Sequence, residues 1–69
     1  MQIFGQRLKE LRKERNLTQP ELAKLLGVSN GMISFWETGK YEPTASNIVK
    51  AAKLFGVSCD YLLGCDDKY

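Results

Sequence analysis

Apolar residues along this chain recur at helical spacing in five short runs, and each run is bounded by a residue suited to starting or stopping a helix. From about Ile3 to Arg15, Phe4, Leu8 and Leu11 form one stripe, and Asn16 follows as a left-handed stop. Thr18 reads as an N-cap, Glu21 three residues later closes a capping box, and Pro20 sits in the first turn, where its missing N–H costs nothing. A second helix therefore begins at Gln19, with Leu22, Leu25 and Leu26 as its stripe, Ala23 as a small contact residue and Gly27 as its stop. Ser29 caps a third helix from Asn30 to Glu37. After the turn-rich link KYEPT, Thr44 caps a fourth helix from about Ala45 to Phe55, with Ile48, Ala51, Ala52 and Phe55 facing inward and Gly56 ending it. Ser58 then opens a short fifth helix, CDYLL, stopped by Gly64. The pattern predicts a compact all-α, five-helix domain over residues 1–64, with residues 65–69 as a frayed tail.

Two features of this pattern go beyond fold class. The second and third helices are joined by about three residues containing Gly27, which describes a helix-turn-helix. Leu17 before the first cap can staple to Leu22, Val28 before the second to Ile33, and Val57 before the last to Leu62, so the entry angles are set by one repeated device.

The third helix also has two unlike faces. At about 100° per residue from Asn30, the side chains of Met32, Ile33 and Trp36 fall between about 200° and 300°, and Asn30, Gly31, Ser34, Phe35 and Thr38 between about 0° and 140°. The outward face is short, polar and nearly uncharged, whereas a helix exposed only for solubility normally carries Lys and Glu. Such side chains suit approach to base edges: Asn can pair bidentately with adenine, Ser donates or accepts, and Phe can lie against a thymine methyl group. A capped helix pair in any small helical domain remains the competing reading of this face. Glu37 borders the buried side of the same helix. Arg12 lies beside the stripe of the first helix and needs a partner there, since an unpaired buried charge is strongly unfavourable, and Glu37 is its candidate.

Composition narrows the chemistry. Sixty-nine residues support one domain near the lower size limit for independent folding. There is no long apolar run and no signal peptide, so a cytoplasmic location is expected. Cys59 and Cys65 are the only cysteines and His is absent, so one chain cannot supply four zinc ligands, and ordinary thiols are expected rather than a disulfide. Lacking a nucleophile with its base and a glycine-rich phosphate cradle, the chain is not expected to be an enzyme or to need a cofactor. Asp66 and Asp67 are adjacent but lie on the tail. No ligand pocket is legible. The net charge is +2, and residues 1–15 hold +3 of it, leaving −1 over residues 16–44 and zero over 45–69. A field this weak does not suit a non-specific nucleic-acid coat, so affinity for DNA would depend on fit and on paired half-sites as well as charge.

The run TQ..LA..LGVS...IS.WE.G resembles the helix-turn-helix of the lambda repressor and Cro-like (XRE) family of bacterial and phage transcriptional regulators, with Gln19, Ala23, Gly27, Ile33 and Trp36 at its pattern positions. The resemblance extends through FGQRLKELRKERNLT before the motif and P..SNIVKAAKLFGVS.DYLLG after it, nearly the whole chain. It implies a DNA-binding regulator, a repressor, whose third helix enters the major groove of double-stranded DNA. Asn30 and Gly31 match the first base-reading positions and Phe35 a later one, with Ser34 facing the groove. Gly31 and Phe35 depart from the longer polar or basic residues usual there; Gly31 would permit close backbone approach, and Phe35 would contact a thymine methyl or else a protein partner. Gln19 matches a residue that clamps the DNA backbone, and Ser29, Lys40, Thr44, Ser46 and Asn47 are further backbone candidates, against ordinary capping for the hydroxyls. The family carries an Arg and Glu ion pair at the positions of Arg12 and Glu37. Its last helix often contributes to a two-fold dimer, which makes Tyr61, Leu62 and Leu63 candidates for an intersubunit patch; closure of the monomer core is their other reading. A homodimer on an inverted-repeat operator follows. Two other functions remain open: a protein-binding module of this fold, as an antitoxin binds its toxin, and the DNA-binding part of a longer regulator.

Overall fold

A computed structural model describes residues 2–69 as five helices: α1 (Gln2–Glu14), α2 (Gln19–Leu26), α3 (Asn30–Thr38), α4 (Ala45–Phe55) and α5 (Cys59–Leu63). The caps are those the sequence predicts. Thr18 and Glu21 form a reciprocal capping box, and the hydroxyls of Ser29, Thr44 and Ser58 accept from the backbone N–H three residues on. Asn16 takes a positive φ of 55° after α1, a conformation that Asn tolerates better than most side chains.

One core runs through the middle. Phe4, Leu8, Leu22, Ile33, Trp36 and Leu62 are its largest fully buried side chains, and α1 packs most extensively on α3. The edge of one ring meets the face of the other where Phe4 and Trp36 pack, with centroids 5.9 Å apart at 85°. The Trp36 indole N–H finds no acceptor among the described residues. Burying an aromatic of that size is worth about 4–6 kcal/mol and an unmade hydrogen bond costs about 1–3 kcal/mol, so the ring still belongs inside.

The close approach of α1 to α3 depends on Gly5. A Cβ built there would lie 2.0 Å from the carbonyl oxygen of Trp36, inside any tolerable contact. A glycine within an otherwise good helix was the available sequence signal for this crossing.

A carboxylate locks the same interface. Arg12 Nε donates to Glu37 Oε2 at 2.7 Å and Arg12 Nη2 to Oε1 at 3.1 Å, in a two-pronged pair whose side chains are only 11% and 3% exposed. Arg12 Nη1 also donates to the Leu17 carbonyl at 2.9 Å, and Gln19 Nε2 donates to Glu37 Oε1 at 3.0 Å. One carboxylate thus joins α1, the start of α2 and the last turn of α3.

One expectation needs correction, and two others meet contacts that the sequence did not show. Leu25 is 56% exposed: the buried arc of α2 is Leu22, Ala23 and Leu26, and Leu25 lies about 100° around from Leu26 on the side away from Ala23. Leu62 is fully buried and Tyr61 is 6% exposed, so the core of the monomer takes both and only Leu63 keeps appreciable surface for an intersubunit patch. The tail expected to fray makes contacts with the body of the chain. Arg7, stacked 4.2 Å over the Tyr61 ring, donates to the carbonyls of Tyr61 and Asp66 and to the Asp67 carboxylate. Tyr69 packs on Tyr61 at 4.7 Å, its carbonyl accepts from Ser58 N–H, and its hydroxyl donates to Glu14 at 3.1 Å. That carboxylate pushes the Tyr69 phenol up to about 12, because ionisation would both remove the donor and set two anions side by side.

Gly5→Ala is expected to destabilise the domain by at least ~2 kcal/mol in urea denaturation, although helix propensity alone favours Ala by about 1 kcal/mol; an unchanged midpoint would mean that α1 can retreat without loss. Glu37→Ala should cost about 3 kcal/mol by stranding the Arg12 charge, and pairing Arg12→Met with Glu37→Leu should recover most of it. If the double replacement is no more stable than Glu37→Ala, the stranded charge is not the cause.

Candidate nucleic-acid interface

The polar face of α3 is held at both ends. Ser29 Oγ accepts from Met32 N–H at 3.2 Å at the start, and at the end Gly39 takes a φ of 79° while its N–H returns to the carbonyls of Phe35 and Trp36. Ile33 and Trp36 bury the opposite side, so the helix can neither roll nor slide without opening the core. Asn30 and Gly31 are then exposed, and Ser34 and Phe35 half-buried, along one surface. A Cβ at Gly31 would meet nothing within 4 Å, so packing within the chain does not demand glycine there.

The residues expected to hold the DNA backbone flank this surface. Ser29 and Thr44 each cap a helix, accepting from Met32 N–H at 3.2 Å and Asn47 N–H at 3.3 Å; their hydroxyl hydrogens remain available to donate outward. Gln19 is turned partly inward by its hydrogen bond to Glu37, a second role that the motif did not reveal. Its amide oxygen and second N–H are left over from that bond. Lys40 does not project alone. Its Nζ lies 4.8 Å from the centre of the Phe35 ring and 5.9 Å from that of Tyr41, while the two rings meet edge to face at 4.9 Å and 77°. Ser46 is exposed on the first turn of α4.

A cleft of about 380 Å³, which the sequence did not disclose, opens between α3 and the link into α4. Val28, Met32, Trp36 and Tyr41 give it apolar walls, with Ser29 and Thr44 among its polar residues. The basic end of the chain is less available than its charge suggests. Of the five cations in residues 1–15, Arg7 and Arg12 are engaged as described, and Arg15 donates to the Phe55 carbonyl at 3.1 Å with its guanidinium 5.5 Å from that ring's centre. Lys9 and Lys13 are exposed.

A helix-turn-helix family model matches residues 8–62. The chain is 40% identical over 65 residues to the repressor protein C2 of Salmonella phage P22, covering 94% of this chain and 30% of that protein. It is 44% identical over 61 residues to an uncharacterized HTH-type transcriptional regulator of Methanocaldococcus jannaschii, covering 88% and 92%. A crystal structure of the P22 c2 repressor protein in complex with a synthetic operator superposes with a TM-score of 0.86 at 39% identity, covering 96% of this chain and all of that one. The chain spans 30 to 50% of the length of several of the curated relatives it matches. Among the described residues no helix is long and apolar enough to cross a membrane. With the capped helix pair, the Ala23 contact, the Gly27 turn and the buried Ile33 and Trp36 all in place, the chain belongs to the helix-turn-helix family of lambda repressor-like (XRE) proteins.

Proposed function

We propose that this chain is a sequence-specific DNA-binding domain of a cytoplasmic transcriptional regulator, a repressor that inserts α3 into the major groove of its operator. The observation that carries this reading is the outward surface of α3, where Asn30, Gly31, Ser34 and Phe35 stand on a helix fixed by a cap at one end and by Glu37 at the other. Rigid placement of a few short polar groups is what reading base edges requires. The P22 repressor protein of the same fold, solved with its operator, supports it.

In this reading Asn30 pairs with a base edge, Gly31 lets the backbone of α3 come close, and Ser34 and Phe35 face the groove. Gln19, Ser29, Lys40, Thr44 and Asn47 hold phosphates on either side, with the α4 N-terminus offering backbone N–H groups to one of them. Two copies related by a two-fold axis would place their α3 helices in successive major grooves about 34 Å apart, which makes the operator an inverted repeat. Leu63 is the candidate of the last helix that retains surface for that contact.

Selection of bound duplexes from a random pool at two salt concentrations should enrich an inverted repeat. Weak binding that vanishes with salt and enriches nothing would leave only phosphate attraction, and the reading would fail. On the selected operator, Asn30→Ala should weaken binding by ~1–3 kcal/mol and relax preference at one base pair per half-site; equal binding to every variant operator, as by the parent, would remove Asn30 from the readers. Lys40→Ala should weaken all sequences alike and lower the salt slope by about one unit, whereas an unchanged slope excludes a phosphate contact.

A further inference from the structure

Phe35 lies on the outward arc of α3, half-buried, yet it is not among the side chains packed against the core. Two of its neighbours come from the link that follows. Tyr41, itself 50% exposed, meets it edge to face at 4.9 Å, and Lys40 Nζ lies 4.8 Å from its ring centre. The backbone fixes this grouping, because the Phe35 carbonyl accepts from Lys40 N–H at 2.8 Å and Tyr41 N–H at 3.4 Å. A ring with two side-chain torsions is thus held upright on the DNA-reading surface by residues that contribute little to the core.

We propose that Phe35, Tyr41 and Lys40 form one composite reader of a 5-methylpyrimidine in each operator half-site: Phe35 touches the methyl group, Tyr41 is a positioning residue that sets the ring, and Lys40 ties it to the neighbouring phosphate. This rests on the reading of α3 as the groove-entering helix. Phenylalanine has no donor or acceptor, so it can distinguish base pairs only by apolar contact, and the thymine C5-methyl is the one apolar group displayed in the major groove. An ammonium over the ring suits the same arrangement, since cation and aromatic attract and the lysine keeps its three N–H donors for a phosphate oxygen.

The test uses the selected operator, with uracil replacing thymine one position at a time in both half-sites, and measures dissociation constants by fluorescence anisotropy. One position per half-site should show a loss of about four-fold for each contact, the equivalent of ~0.8 kcal/mol for one buried methyl-sized group. That loss should vanish in Phe35→Ala, shrink in Tyr41→Ala and persist in Tyr41→Phe, which keeps the ring edge. Placing 5-methylcytosine rather than cytosine at the same position should recover affinity for the parent chain and not for Phe35→Ala. All three variants lie outside the core, and thermal unfolding verifies that they stay folded. A tightly bound operator with no uracil penalty dependent on Phe35 overturns the composite reader while leaving DNA binding intact. A Phe35-dependent penalty unchanged in Tyr41→Ala overturns the positioning role. Failure to enrich any operator removes the DNA-binding reading itself, and the reader with it.

Discussion

The placement of the outward surface of α3 depends on the Glu37 carboxylate. It sits in the last turn of α3, where the helix dipole opposes an anion, and its side chain is almost wholly removed from water. Either circumstance alone would favour a different residue. The two-pronged contact with Arg12 reverses the balance, because a dipole penalty of about 0.3–1 kcal/mol is small beside the roughly 3–5 kcal/mol lost when one partner of a buried pair is removed. Gln19 then joins the same carboxylate, so the two helices of the motif are referenced to α1 through one group. The orientation of α3 is therefore set by an electrostatic contact as well as by apolar packing.

The small size of the domain explains why local devices recur. At about 0.05–0.15 kcal/mol per residue, a chain of 69 residues holds only roughly 3–10 kcal/mol of net stability. Four helices begin with a Ser or Thr cap, each worth about 1 kcal/mol, so end-capping is comparable in size to the whole margin. Arg7 extends the same economy to the C-terminal end, capping α5 and holding Asp67 with a single guanidinium. The surface of α3 is thereby left out of the stabilising work. Its side chains are freed from core packing, and Phe35 stands outside the core against Tyr41 and Lys40.

The five helices, their caps and the turn of the motif were legible in residue order alone, because these depend on contacts within three or four residues: a hydroxyl and an N–H, a glycine or asparagine at positive φ, an apolar stripe every turn. The two faces of α3 were legible for the same reason, as was the need of Arg12 for a partner. Tertiary structure decided whatever depends on how helices cross. Leu25 belonged to its stripe by spacing, yet α2 leans on Leu22, Ala23 and Leu26 and leaves it in solvent. Tyr61 and Leu62 were ambiguous between a core and a dimer face until the packing of the chain buried them. The tail of CDDKY carries no local pattern, and its place is set by Arg7 and Glu14 from more than fifty residues away. Gly5 drew no reading from the sequence; that it admits the Trp36 carbonyl could be known only from the crossing itself. Short-range chemistry writes the elements, and long-range packing chooses which side chains are left at the surface.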